Sequence, residues 1–167
     1  MISQDMAASL NAQINRELYS AYFYLGLSAQ AERANLKGAA AWFFAKHGEE
    51  MAHALKIYRY IVDQDAEVRF SEITAPPAGS EGVMHMFEQT LAHEREVTGA
   101  INELVDKALQ EKDHATNVFL QWTQLQGYDV VSYDRRSGWL AFRRHLAQKE
   151  KLEAVEALFL AGRNHRS

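Results

Sequence analysis

An all-α fold is what this sequence of 167 residues predicts: a four-helix bundle with one long crossover between its second and third helices, plus a fifth helix at the C-terminus. Three observations carry that expectation. Apolar residues recur at steps of three and four through several long segments, as amphipathic helices require. The two prolines of the chain stand together at Pro76 and Pro77, and because proline breaks helix interiors, long uninterrupted helices are open to the rest. Between residues 65 and 82 the periodicity is lost, and the segment holds both prolines with Gly79, Ser80 and Gly82. Short turns elsewhere and one long link here describe a crossover bundle.

The elements follow in order. The first helix spans residues 3–35, with Ser3 as N-cap and Met6, Leu10, Ile14, Leu18, Ala21, Leu25 and Ala29 as its apolar stripe. Asn35-Leu36-Lys37-Gly38 reads as a turn. The second helix, 37–64, sets Trp42, Phe43, Ala54, Ile57, Tyr58 and Ile61 on one side. The third, 81–112, does so with Met84, Phe87, Leu91, Val97, Ile101, Leu104 and Leu109. Asp113 caps a fourth helix, 113–136, which runs through Val118, Phe119, Trp122 and Leu125 and is interrupted by Gly127. Ser137-Gly138 breaks the chain before a last amphipathic stretch, 139–160. One domain over residues 1–167 accommodates all of this, near the usual length of about 150 residues.

Composition narrows the function classes. Apolar residues at 47% and charged residues at 24% suit a soluble globular protein. A formal net charge of −4 without a basic tract argues against neutralising phosphates. The chain has no cysteine, so any metal must be held by carboxylate, imidazole or amide groups. Met1-Ile2-Ser3-Gln4-Asp5 lacks the features of a signal peptide, and no apolar run approaches the roughly 18 residues of a membrane helix. The expectation is a cytoplasmic protein that partners neither nucleic acid nor membrane.

The informative charges sit on the apolar stripes. Glu17 follows Ile14 by three residues and precedes Ala21 by four. Glu50 stands seven after Phe43 and seven before Ile57, and His53 follows it as Glu-x-x-His on one helix face. Glu94 stands seven after Phe87 and seven before Ile101. Three helices thus each aim a carboxylate at one interior, and one adds an imidazole. Burying carboxylates without partners is costly, like charges in one core repel, and no lysine or arginine shares these stripes at matching positions. A bound cation resolves the conflict; oxygen donors with one imidazole suit iron, manganese or zinc.

Taken singly, each glutamate is ordinarily a boundary residue whose carboxylate reaches water, and a lone Glu-x-x-His is common by chance. The agreement of three helices is what points to a metal. Tyr24 shares the face of Glu17 and reads equally as core or as a hydrogen-bond partner of a site carboxylate. His47, His85, His93, His114, His145 and His165 fall off the stripes or near helix ends and read as solvated. Trp122 reads as core.

The motifs Leu10-Asn11-Ala12-Gln13-Ile14-Asn15-Arg16-Glu17-Leu18-Tyr19-Ser20, Gly38-Ala39-Ala40-Ala41, His47-Gly48-Glu49-Glu50-Met51-Ala52-His53 and Phe119-Leu120-Gln121-Trp122 resemble those of the non-haem bacterial ferritins across about the first 125 residues. The resemblance implies a ferritin-like bundle with a di-iron centre and no haem. It implies that Glu17, Glu50 and His53 bind the first iron and that Glu50 bridges to a second held partly by Glu94. Tyr24 would support the site, Glu49 would help a third iron position, and Trp122 would pack nearby. It further implies a ferroxidase that passes electrons from ferrous iron to dioxygen or hydrogen peroxide, and a twenty-four-subunit cage that stores ferric oxyhydroxide.

The sequence departs from the family in its fourth helix. Gln126, Gly127, Asp129 and Val130 stand where the family places a glutamine or glutamate and then a cluster of glutamates. Gly127 and Val130 cannot ligate through side chains, so the second iron would bind weakly, and Asp129 is the one candidate for the third. The run Tyr133-Asp134-Arg135-Arg136-Ser137-Gly138 is foreign to the family. An alternative follows: an impaired subunit that binds one iron per bundle and supports mineral nucleation. A haem-binding bacterioferritin (Met51 follows Glu50 as an axial ligand would) and a DNA-protecting miniature ferritin are further alternatives. The first lacks its second Glu-x-x-His, the other its lysine-rich tail.

Overall fold

The computed structural model describes residues 1–79 and 81–121. Helix α1 (Gln4–Arg33) is followed by α2 (Lys37–Asp63) and, after the crossover, α3 (Val83–Gln110); α4 starts at 114 and is described to 121. At 30 residues α1 is about 45 Å long, so the first three helices traverse a tall bundle. The expectations for residues 122–167, including Trp122, Gln126, Gly127, Asp129, Val130 and the fifth helix, lie outside the described residues.

Each helix end has a local cause. Ser3 accepts the Met6 N–H at 2.9 Å and so caps α1 as expected. Asp113 accepts the Thr116 N–H at 3.0 Å and opens α4. The three long helices close in one way. Asn35, Asp65 and Lys112 adopt positive φ of 58°, 55° and 56°, and the next N–H returns to the carbonyl five residues earlier: Leu36 to Ala31, Ala66 to Ile61, Asp113 to Ala108. This is the left-handed closure that usually recruits glycine. The first turn therefore ends at Leu36, and Lys37 and Gly38 belong to α2. Helix α3 begins at Val83 rather than 81, because Gly82 at φ 103° stands just before it.

The crossover travels along α1 in α1's own direction. Asn11 donates to the Glu67 carbonyl and accepts the Arg69 N–H, at 2.9 and 2.7 Å. One turn on, Asn15 accepts the Ser71 N–H at 2.8 Å. Farther along, Pro76 lies so near Gly26 that a Cβ there would meet its Cγ at 3.1 Å, so any side chain there would require the strap to give by a few tenths of an ångström. Helices α2 and α3 consequently run parallel to each other and antiparallel to α1. Helix α1 packs along both, while α2 and α3 face each other across the bundle.

Two apolar clusters fill the ends of this bundle. One gathers Phe23, Tyr24, Leu27, Ala31, Ala39, Ala40, Trp42, Phe43 and Met86. The other gathers Met6, Leu10, Ile14, Ile57, Ile61, Ile101, Leu104, Ala108 and Leu120. The expected stripe on α1 drifts off this face, since Leu25 is 36% exposed while Tyr24, Leu27 and Ala31 are buried. Its steps averaged about 3.8 residues against the 3.6 of an α-helix, so they wound around the cylinder. Tyr58, Met84, Leu109 and Val118, also expected in the core, are exposed. No helix among the described residues is long and apolar enough to cross a membrane.

Candidate metal centre

Between the two apolar clusters the interior turns polar. Helices α2 and α3 share a heptad frame there. Phe43 and Phe87 meet at 5.2 Å between ring centroids, Ile57 and Ile101 share the other cluster, and Glu50 and Glu94 stand midway between them. Glu17 of α1 enters the same layer. Glu17 and Glu50 are buried, and Glu94 is half-buried.

The compact part is Glu17, Glu50 and His53. His53 Nδ1 lies 3.3 Å from Glu50 Oε2 and 3.8 Å from Glu17 Oε2. One ligand atom from each of the three falls within 4.8 Å of the others. An ion bound at about 2.1 Å to each donor needs separations of up to about 4.2 Å, so a fraction of an ångström of inward motion completes the set. Glu17 is aimed by a relay on its own helix: Arg16 donates to Gln13, and buried Gln13 donates to Glu17 Oε1 at 2.7 Å. Its other oxygen, Oε2, is buried without a hydrogen bond. A buried carboxylate oxygen left open in this way, facing an imidazole nitrogen and a second carboxylate, is a donor set that fits a divalent ion.

Glu94 and Glu49 stand outside that compact set. Tyr24, fully buried and ringed by Phe23, Trp42 and Phe43, donates its hydroxyl to Glu94 Oε1. Glu49 pairs with Lys46, whose Nζ lies 2.8 Å from Glu49 Oε2 and whose side chain is only 13% exposed. Lys46 also stands in the field of Glu94 and Glu50. No lysine or arginine shares the apolar stripes, yet Lys46 brings a cation to this interior from outside them. Lys46 is one turn before Glu50, off the heptad positions, and its long stem carries the ammonium in from the flank.

The electrostatics reflect crowding. Burial raises the Glu50 carboxyl above its usual range, and Glu17 adds to this against the opposing pull of His53. Burial and the Glu50 charge likewise raise Glu94. Burial alone would lower His53, but Glu17 and Glu50 outweigh it and push the imidazole up to about 10. Without a metal, a proton on His53 is the local counter-charge. Burial raises the Tyr24 hydroxyl well above its normal value, reinforced by Glu94, which keeps it a donor.

Two histidines expected in solvent are engaged instead. His93 is half-buried against Tyr19 and Phe23, with Nε2 at 2.8 Å from Ser20 Oγ. His47 Nδ1 lies 2.9 Å from the Ala21 carbonyl. His85 is half-buried and His114 exposed; His145 and His165 lie outside the described residues. Gln13 went unnoticed in the sequence, although its place four residues before Glu17 was a usable signal.

Comparison with known proteins gives the family. A family model described as a ferritin-like domain matches residues 7–125. A bacterial non-haem ferritin of Campylobacter jejuni is 38% identical over 122 residues, 73% of this chain and 73% of its own. One from Staphylococcus aureus is 34% identical over 122 residues, covering 73% and 74%. An open-pore ferritin from the hyperthermophilic archaeon Archaeoglobus fulgidus has a similar structure, with a TM-score of 0.80 and 34% identity over 96% of this chain and 95% of its own. With a family model spanning most of the chain, relatives above 30% identity and the same bundle in solved structures, this chain belongs to the ferritin family.

Proposed function

We propose that this chain is the subunit of an iron-storage cage and oxidises ferrous iron within its own bundle. The observation that carries the reading is the convergence of Glu17, Glu50 and His53 with an open, buried carboxylate oxygen. Iron is the substrate. Glu17, Glu50 and His53 hold the first ferrous ion, and Glu50 with Glu94 holds a second beside it. Carboxylates favour the ferric product because their charge neutralises its added positive charge. Two ferrous ions yield two electrons, which with two protons reduce dioxygen to hydrogen peroxide or hydrogen peroxide to water. Tyr24 orients Glu94, Gln13 orients Glu17, and Glu49 offers the product a carboxylate next to the site. Asp129 is retained as a ligand for a third position. No haem is involved.

Assembly with copies of itself, as a cage of twenty-four subunits, is part of the proposal. Exposed Tyr22, Leu25, Tyr58, Phe70 and Ile73 provide apolar surface that such contacts cover. Stopped-flow oxidation of ferrous iron tests the chemistry: a rapid phase saturating at about two irons per subunit is expected, and its loss in Glu50→Ala. Slow oxidation indistinguishable from that of Glu50→Ala refutes it. One observation favours the second reading, a subunit that binds one iron and supports mineral nucleation: among the described residues only one compact ligand group forms. Saturation at one iron without a rapid phase selects that reading.

A further inference from the structure

The two halves of the polar layer carry different counter-charges. On one side His53 lies between Glu17 and Glu50. On the other, the Lys46 ammonium is pinned by Glu49 at 2.8 Å, largely out of solvent and one turn before Glu50 on α2, in the field of Glu50 and Glu94. An imidazole can lose its proton and become a ligand, whereas an ammonium brings three donors and no lone pair. The first half can therefore offer a metal ion an imidazole lone pair beside two carboxylates. The second already holds a fixed positive charge that a cation must confront.

We propose that Lys46 is the positioning residue that sets the affinity of the second cation position, at Glu50 and Glu94, and makes loading of the centre sequential. This rests on the proposed two-ion reading, with a first ion at Glu17, Glu50 and His53 and a second between Glu50 and Glu94. Glu49 holds the ammonium at the i−3 position along α2 and so fixes its distance from Glu50 one turn on. A divalent ion between Glu50 and Glu94 meets Lys46 repulsion in a half-buried setting, where screening is incomplete. Lys46 thus weakens the second position while leaving the first intact, and it offsets the like-charge repulsion of Glu50 and Glu94 when no second ion is bound.

Calorimetric titration of the full chain with zinc, which is redox-inert, reads this directly. The wild type is expected to bind one ion tightly per subunit and a second weakly. Lys46→Met should strengthen the second event about tenfold, with the first unchanged. Lys46→Arg, which keeps the charge, should resemble the wild type. Helical circular dichroism confirms that both variants are folded. A Lys46→Met protein whose second event is unchanged or weaker overturns the inference while leaving the metal site standing, as does an equal gain in Lys46→Arg. Absence of any tight event in the wild type overturns the metal site and the inference with it.

Discussion

The apolar ends of the bundle and its polar waist are built on the same helical frame but to opposite ends. At the ends, Phe43 with Phe87 and Ile57 with Ile101 fill the interior and supply folding free energy. At the waist, the same frame delivers Glu50 and Glu94, with Glu17 from α1, and the interior stores like charge instead. The lesson is that the periodicity of an apolar face fixes which residues point inward, not whether they stabilise the fold. A waist that gains nothing from burial is tolerable because two long clusters flank it, and because His53 and Lys46 compensate part of its charge.

The sharpest test of that contrast is deletion on either side of it. Phe43→Ala should cost about 3–5 kcal/mol of stability in chemical denaturation, since it opens a cavity in a fully buried cluster. Glu50→Gln removes a desolvated charge of similar burial, so the metal-free protein should be no less stable. It should, however, lose the stabilisation that zinc confers. For the wild type that stabilisation should reach about 2.7 kcal/mol at a free zinc concentration 100 times the dissociation constant. Equal destabilisation by both substitutions would erase the distinction.

Acidity gives a finer test. A folded-state pKa raised above the unfolded value contributes stability that is full below the unfolded value and lost as pH rises through the folded one. Glu50 and Glu94 are raised from 4.5, and His53 from 6.5 to about 10. The melting temperature of the metal-free protein should therefore fall from mildly acidic to alkaline pH, with the His53 share disappearing between 6.5 and about 10. Zinc competes with these protons, so between about pH 6 and 8 its added stabilisation should grow with pH. A metal-free melting temperature that rises across this range would contradict the crowded waist.

The smallest expected effect concerns the strap. Asn11→Ala removes two bonds to the crossover and should cost about 1–3 kcal/mol by leaving the Glu67 carbonyl and Arg69 N–H to solvent or unpaired. Hydrogen exchange should quicken in residues 67–71 without change at the waist.

How legible this was follows from the physics of each feature. The heptad spacing of Phe43, Glu50 and Ile57 beside that of Phe87, Glu94 and Ile101 made the shared carboxylate layer readable from sequence. The crossover was readable because both prolines fall in it. Lys46 was not, because a four-carbon stem reaches the waist from a position no stripe includes. Nor were the bonds of His93 and His47, which depend on a neighbouring helix and not on their own. The α1 stripe went astray beyond Ala21 because steps of four accumulate angular error, while the buried face returns through steps of three to Tyr24 and Leu27 and one of four to Ala31. Asn11 and Asn15 looked like ordinary polar helix residues; their partners lie some fifty-odd residues onward in the strap.

Anomalous diffraction from crystals soaked in ferrous iron under anaerobic conditions tests the central claim most directly. A peak bounded by Glu17, Glu50 and His53, stronger than any peak beside Glu94, is the predicted result. Carboxylates turned away from one another with no peak between them would contradict it.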